Sequence, residues 1–232
     1  MTRRAQFGRY LILLPPVAGL LAFVFVSPIP QNETYHSFVD RRTILGIPNF
    51  WNVISNLPFA VAGIAGLLAF RDAASRLLFA GILLTTFGSA YYHWEPTTAH
   101  LVWDRLPMTI AFMSMLALIL GFSYGEEVGR RLLLPLVAVG LASVLWWYVD
   151  GDLRLYALVQ FGSIAMILIA LVCFEVPAAG ELWIALLLYA LAKVAEAGDR
   201  QIYGAIPLSG HTIKHLLAGL STWWIYRWRH HG

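Results

Sequence analysis

The sequence is poor in charged residues and in cysteine. Only 12% of its 232 residues are Asp, Glu, Lys or Arg, whereas 59% are hydrophobic. Soluble domains carry about a quarter charged residues, so the composition fits only a polytopic membrane protein. The small net charge of +3 is spread over segment ends, which gives nucleic-acid binding no support. We infer no obligate protein partner from the sequence. The single Cys173 lies in an apolar run, which excludes an internal disulfide and favours a packing role.

Apolar stretches long enough to cross a hydrocarbon core of about 30 Å dominate what remains. There are eight of them: Tyr10–Ile29, Phe50–Phe70, Leu77–His93, Val102–Phe122, Leu132–Val149, Leu155–Phe174, Leu182–Gln201 and Leu208–Trp228. Their short connections favour antiparallel neighbours. The sequence therefore predicts an all-α polytopic transmembrane bundle. The first stretch is long for a signal peptide and no small-residue cleavage site follows, so we expect a retained helix.

The orientation of this bundle follows from its arginines. With the N-terminus in the cytoplasm, the cytoplasmic side holds Arg3, Arg4, Arg9, Arg71, Arg76, Arg130, Arg131, Arg227 and Arg229, and the opposite side holds Arg41, Arg42, Arg154 and Arg200. This bias predicts a multi-pass protein with both termini in the cytoplasm.

Three histidines and one aspartate interrupt the apolar stretches, and ionisable groups at membrane depth indicate function because they are costly. His93 ends the third stretch, Asp104 begins the fourth, and His211 and His215 begin the eighth. In the predicted orientation all four lie toward the extracytoplasmic face. The i, i+4 spacing also puts His211 and His215 on one helix face, where two imidazoles can share a metal.

The set has the composition of a catalytic zinc site, in which three protein ligands leave a fourth position for water. His93, His211 and His215 would be the ligands, and Asp104 would orient or deprotonate the zinc-bound water. Ser89 lies one helical turn before His93, where its hydroxyl can bond a developing oxyanion or the water. Taken singly, each residue has a simpler explanation: Asp104 also suits a helix cap, and a lone histidine is more often an interfacial polar residue.

These residues also resemble a known family. The string Gly88-Ser89-Ala90-Tyr91-Tyr92-His93, the following Asp104, and His211-Thr212-Ile213-Lys214-His215 resemble the alkaline ceramidases, members of a seven-helix superfamily that includes the adiponectin receptors. The segment Asn49–Leu57 resembles the start of their first core helix, and the likeness runs from about Tyr35 to Trp224. It implies zinc on the three histidines, Asp104 acting on the zinc-bound water, and Ser89 stabilising the tetrahedral intermediate. The implied reaction is hydrolysis of a lipid amide, as when ceramide gives sphingosine and a fatty acid.

The resemblance also implies a division of the chain. Residues 1–30 would be an extra N-terminal transmembrane helix, 31–49 an extracytoplasmic loop, 50–228 the seven-helix core and 229–232 a cytoplasmic tail. Eukaryotic alkaline ceramidases carry an acidic calcium site before the first core helix, where this chain offers only Asp40 and Asn49, with Glu33 further upstream. Calcium takes six to eight oxygens. We therefore expect no calcium or weak binding. Asp40 would instead form a structural pair with Arg41 in the loop above the site, where it is a candidate for the shell around the metal.

Several further polar residues leave alternatives open. Lys193, Glu196 and Arg200 have spacings that allow structural pairing inside the bundle, or they grip the head of a substrate. Asn52 and Asn56 are either interhelical hydrogen-bond partners or part of the shell around the site. His36, His100, His230 and His231 are expected to be solvated. We expect kinks at Pro15-Pro16 and Pro58, and a helix start at Pro207.

The sequence thus leads to a zinc-dependent membrane amidase whose partner is a lipid substrate, held between the core helices. The main rival is a lipid sensor or receptor on the same scaffold with structural zinc. A structural zinc site usually has four ligands and is closed, whereas three histidines beside a carboxylate leave room for water. A histidine-ligated haem protein is a weaker alternative, because haem does not explain a third histidine and an aspartate at one depth.

Overall fold

Eight long helical segments make up most of the protein, for which a computed structural model describes residues 3–232. They are α1 (Arg3–Phe25), α2 (Phe50–Ala69), α3 (Ala73–Trp94), α4 (Thr98–Tyr124), α5 (Glu126–Asp150), α6 (Arg154–Cys173), α7 (Ala179–Ala197) and α8 (Gly210–His231). Two short helices, Glu33–His36 and Asp199–Ala205, lie in the connections. These residues form no β-strand, so the predicted all-α polytopic bundle is confirmed.

The prolines interrupt two of the helices, as predicted, because proline lacks the backbone donor that the preceding turn needs. α1 is divided ahead of Pro15-Pro16 into Arg3–Leu11 and Leu14–Phe25. α2 is divided ahead of Pro58 into Phe50–Ile54 and Leu57–Ala69.

The predicted helix start at Pro207 is wrong. α8 begins at Gly210, and Ser209 caps it by accepting a hydrogen bond from the backbone N–H of Thr212. A serine side chain can satisfy one of the free N–H groups of the first turn, which proline cannot do.

Six of the segments in residues 3–232, α1 to α6, are long and apolar enough to cross a membrane by length and composition. Of the eight crossing stretches predicted from the sequence, the first six therefore meet this criterion. α7 and α8 are as long but do not meet this criterion, and they carry Lys193, Glu196 and Lys214, which form ion pairs with one another. The chain is a multi-pass membrane protein.

The bundle places α1 at its edge. α1 packs against α6, where Gly8 lets it approach the side chain of the buried, free Cys173. Only 11% of its apolar window is buried, against 33–56% for the windows of α2 to α6. α2 packs between α3 and α8, α4 packs between α3 and α5, and α7 packs on α8. The peripheral position of α1 agrees with an extra helix before the core, although the division of the chain into domains stays a prediction.

Candidate metal centre

The three predicted histidines lie together at one end of the bundle. His93 stands in the last turn of α3, and His211 and His215 stand in the first two turns of α8. All three are buried, with exposed fractions of 1%, 5% and 3%. The Nε2 atom of His93 lies 3.2 Å from Nε2 of His215 and 3.3 Å from Nε2 of His211. Ligand atoms of the three lie within 4.8 Å of one another, so these side chains could hold a metal ion.

Two glycines allow the helices that carry the site to approach closely. A Cβ on Gly88 would overlap the carbonyl oxygen of Trp103, so α3 and α4 touch beside Ser89 and Asp104. A Cβ on Gly210 would overlap the carbonyl oxygen of Ala195, so the start of α8 lies against the end of α7. Only glycine allows backbones this close.

Hydrogen bonds from α2 fix the ring of His215. Its Nδ1 lies 2.9 Å from the Ser55 hydroxyl and 3.1 Å from the backbone oxygen of Asn52. A carbonyl oxygen only accepts, so Nδ1 carries the hydrogen and the lone pair of Nε2 is free for a metal. The Asn52 side-chain oxygen accepts from the Thr212 hydroxyl at 2.9 Å and from the Ser209 hydroxyl at 3.3 Å, which ties the start of α8 to α2.

The loop between α1 and α2 covers the histidines from outside the bundle. The ring of Phe38 lies 4.7 Å from the rings of both His93 and His211. The Asn49 side chain donates a hydrogen bond to the backbone oxygen of His93 at 2.9 Å. Neither contact was visible in the sequence, because loop residues carry no periodicity that places them.

Asp104 and Ser89 lie on the wall of a cavity beside the histidines. Asp104 is in the second turn of α4 and is 9% exposed, and Ser89, one turn before His93 on α3, is 3% exposed. His215 lines the same cavity, which has a volume of about 400 Å³. Three of the five predicted site residues therefore line one cavity, and His93 and His211 lie next to the third, His215.

The cavity continues from this end as an apolar channel between α3, α4, α6, α7 and α8. Leu78 and Ser89 both line it on α3, so at about 1.5 Å per residue it runs about 16 Å along that helix. Apolar side chains form the far part, among them Ile82, Met115, Ile167, Leu182 and Ile225. This shape is suited to a long hydrocarbon chain whose polar end reaches the histidines.

A comparison with family models decides what kind of protein carries this site. The model of the Ceramidase family matches residues 44–229, well over half of the sequence. The chain belongs to the Ceramidase family. The resemblance inferred from the sequence is thereby confirmed, and membership implies a membrane amidohydrolase with a lipid substrate. A search of curated proteins and a search of solved structures each found no significant match.

The predicted pair of Asp40 with Arg41 is wrong. Both carboxylate oxygens of Asp40 accept from Arg42, at 2.8 and 2.5 Å, and Arg42 also donates to the backbone oxygen of Pro207 at 2.7 Å. Arg41 instead donates to the backbone oxygen of Phe38. Burial raises the pKa of Asp40, but the hydrogen bonds and charge of Arg42 outweigh it and leave the pKa below its usual value. The pair joins the loop to the connection before α8.

His36 is not solvated, contrary to the prediction. Its Nδ1 lies 2.9 Å from the Tyr92 hydroxyl and its Nε2 lies 3.0 Å from the Thr98 hydroxyl. Burial lowers the pKa of His36. His100 is half-buried and bonds Tyr91, whereas His230 and His231 are exposed as expected. The sequence placed His36 in a loop, but it could not show that this loop folds onto α3 and α4.

Glu196 forms the predicted ion pair with Lys193, at 2.8 Å, but its second partner is Lys214 at 2.6 Å instead of Arg200. Lys214 also lies 3.5 Å from Nε2 of His211. The signal for Lys214 was present in the sequence, as a basic residue between the two histidines of α8. Its carboxylate partner is on α7, and only the packing of α7 against α8 identifies it.

Both candidate asparagines lie in the shell around the site. Asn56 is 1% exposed, and its side chain donates to the backbone oxygen of Asn52 at 2.9 Å. The same oxygen bonds His215. Asn52 therefore contacts a histidine directly, and Asn56 acts only through Asn52.

Proposed function

We propose that the protein is a zinc-dependent hydrolase that cleaves the amide bond of ceramide-like N-acyl lipids to a fatty acid and an amine. One observation carries this proposal. Three buried histidine nitrogens, a carboxylate and a hydroxyl lie together at the end of a long apolar cavity in a chain of the Ceramidase family.

The residues present fit zinc. A tetrahedral ion with Zn–N bonds of about 2.0–2.1 Å has ligand nitrogens about 3.3 Å apart. The two separations measured from Nε2 of His93 are 3.2 and 3.3 Å. The Nδ1 hydrogen of His215 is shared by the Ser55 hydroxyl and the backbone oxygen of Asn52, which leaves the lone pair of Nε2 free for the ion. We propose that His93, His211 and His215 hold zinc, which would act as a Lewis acid that activates water and polarises the amide carbonyl.

Two side chains of the cavity wall would carry the chemistry around the metal. Asp104 would accept a proton from the attacking water, whose oxygen forms the new bond to the carbonyl carbon. Ser89 would donate a hydrogen bond to the oxyanion that develops from the carbonyl oxygen. When the carbon–nitrogen bond breaks, Asp104 would return the proton to the leaving amine. This assignment gives the two polar residues beside His215 separate tasks.

The apolar channel would hold the acyl chain. Its length of about 16 Å is about half of a hydrocarbon core about 30 Å thick, which is the depth that one leaflet supplies. The site would face the extracytoplasmic side with both termini in the cytoplasm, as the arginine distribution favours. We expect no functional calcium, because both carboxylate oxygens of Asp40 already accept hydrogen bonds from Arg42.

Fatty-acid release from ceramide and related N-acyl lipids, together with metal analysis, tests the proposal. Wild-type protein should contain about one zinc and hydrolyse an amide. Asp104→Asn should keep the zinc and lose at least about a hundredfold in kcat, as expected for loss of a general base. His211→Ala should lose most of the zinc.

Three outcomes would contradict the proposal. The first is absence of zinc from carefully prepared wild-type protein. The second is unchanged turnover in Asp104→Asn. The third is tight lipid binding without cleavage of any amide, which would favour the lipid sensor.

A further inference from the structure

We propose that Arg105 binds an anionic group on the amine side of the substrate, so that the preferred lipids carry a carboxylate or phosphate head instead of the uncharged head of ceramide. This inference rests on the proposed hydrolase function and names its substrate class. Its basis is a buried guanidinium on the cavity wall that forms no ion pair with any carboxylate of residues 3–232.

Arg105 lies one residue after Asp104 on α4 and lines the same cavity. It is only 7% exposed, and its Nη1 has no hydrogen-bond partner. No carboxylate among residues 3–232 forms an ion pair with it. Its one side-chain hydrogen bond goes to the neutral Gln31, at 2.9 Å. Buried charges are ordinarily paired, because removing a charge from water is costly.

Aromatic rings hold the guanidinium without neutralising it. Its Cζ lies 4.0 Å from the ring centre of Trp147 and 4.7 Å from that of Tyr156. Such rings attract a cation through their faces, but they leave the N–H groups at its edge free. The planar fork of donors suits a carboxylate or a phosphate, which it can bind through two parallel hydrogen bonds.

The charges at this end of the cavity sum to one positive charge in excess. Lys193 and Lys214 both bond Glu196, and the charge of Asp104 attracts both Lys214 and Arg105. The lining carries three basic side chains and one acidic one, Asp104, and Glu196 behind the two lysines is the second acidic group in this sum. A substrate with one negative charge would balance it, whereas a neutral head would leave the guanidinium uncompensated.

Arg105 lies where it would contact the head group of the lipid and not its acyl chain. The side chain reaches Gln31 and lies 6.0 Å from the ring of Tyr35, both in the segment between α1 and α2. Tyr35 contacts Glu196, which bonds Lys214 beside His211. This series of contacts joins the guanidinium to the histidines at the polar end. The apolar channel leaves the site in the other direction, so an amide at the histidines would put its acyl chain there and its amine side near Arg105.

A matched substrate pair tests the inference. The first pair is N-hexadecanoylglycine and N-hexadecanoylethanolamine, which end in a carboxylate and a hydroxymethyl group. The second pair is phosphorylated ceramide and ceramide. Comparing the preference within each pair distinguishes a site for phosphate from a site for carboxylate. We expect wild-type kcat/KM to favour an anionic member by about tenfold or more, as for one charged hydrogen bond. The ratio should fall toward one in Arg105→Gln and only partly in Arg105→Lys, which keeps the charge but not the fork.

A ratio of substrates is independent of the amount of folded enzyme. Arg154→Gln is the matched control, because Arg154 already pairs with Asp152 and does not line the cavity, so its ratio should stay that of the wild type. Equal or better hydrolysis of the neutral lipids by the wild type, or an unchanged ratio in Arg105→Gln, would overturn the inference and leave the hydrolase function standing.

A binding measurement separates the two proposals. Asp104→Asn protein, in which hydrolysis is suppressed, is titrated with the same glycine and ethanolamine amides and its thermal shift is followed. The head-group assignment is supported if Asp104→Asn protein binds the glycine amide more tightly than the ethanolamine amide and the double variant with Arg105→Gln binds the two equally. Equal binding of the two amides refutes it. If the wild type cleaves no amide, the hydrolase function fails, and this titration alone decides the role of Arg105.

Discussion

Ser55→Ala should weaken zinc binding although Ser55 is not a ligand. The Ser55 hydroxyl is 5% exposed and lies 2.9 Å from Nδ1 of His215. It also donates to the backbone oxygen of Asn52 at 3.2 Å, so its own oxygen accepts the Nδ1 hydrogen. That hydrogen bond holds the ring in the orientation and tautomer that present Nε2 to the metal.

The size of the effect follows from what the alanine variant retains. Loss of an outer hydrogen-bond partner commonly costs about 10–100-fold in metal affinity. In Ser55→Ala the oxygen of Asn52, 3.1 Å from Nδ1, remains as an acceptor. We therefore expect the lower end, about tenfold weaker zinc binding or about 1.4 kcal/mol.

Competition between the detergent-solubilised protein and a chromophoric chelator measures this change. Ser143→Ala is the matched control, because Ser143 is also buried but its hydroxyl donates only to the backbone oxygen of Gly140 on α5. Its zinc affinity should equal that of the wild type. Wild-type affinity in Ser55→Ala, or an equal loss in the control, would refute the argument.

Three further predictions follow. Gly88→Ala should push α3 away from Trp103 and lower the free energy of unfolding by about 1–3 kcal/mol, which a lower thermal unfolding temperature would show. Its amidase activity should fall by a larger factor than its zinc content. Ala185→Phe should narrow the far part of the channel, so that kcat/KM falls for tetracosanoyl amides and not for dodecanoyl amides. Arg42→Gln should destabilise the protein at neutral pH, a cost measured by thermal unfolding, because it leaves the buried carboxylate of Asp40 without its charged partner. Because the pKa of Asp40 is lowered, that cost should disappear as the pH falls through and below the ordinary carboxylate range.

The sequence predicted the parts of the molecule that depend on local pattern. Apolar length located α1 to α6, because each crossing segment must bury or shield its own backbone polar groups. The histidines were found because charge and imidazole are rare at membrane depth. The breaks before Pro15 and Pro58 followed from the chemistry of one residue type.

The contacts that complete the site depend on distant segments and were not predictable. The position of Phe38 against two histidines requires the fold of a loop without periodicity. The choice of Arg42 over Arg41 for Asp40 depends on where a loop backbone turns. Lys214 was visible as a residue, but its partner Glu196 is set by the approach of α7 to α8.

The break in α2 connects a local sequence signal to the metal centre. In an unbroken helix the backbone oxygen of Asn52 would accept from the N–H of Asn56, four residues on. Here that N–H bonds Val53 instead, at 3.4 Å, just before the turn that contains Pro58. The Asn52 oxygen is thereby free of its helical partner and accepts from His215. The helix break next to Pro58 thus leaves the Asn52 carbonyl free to orient a candidate metal ligand.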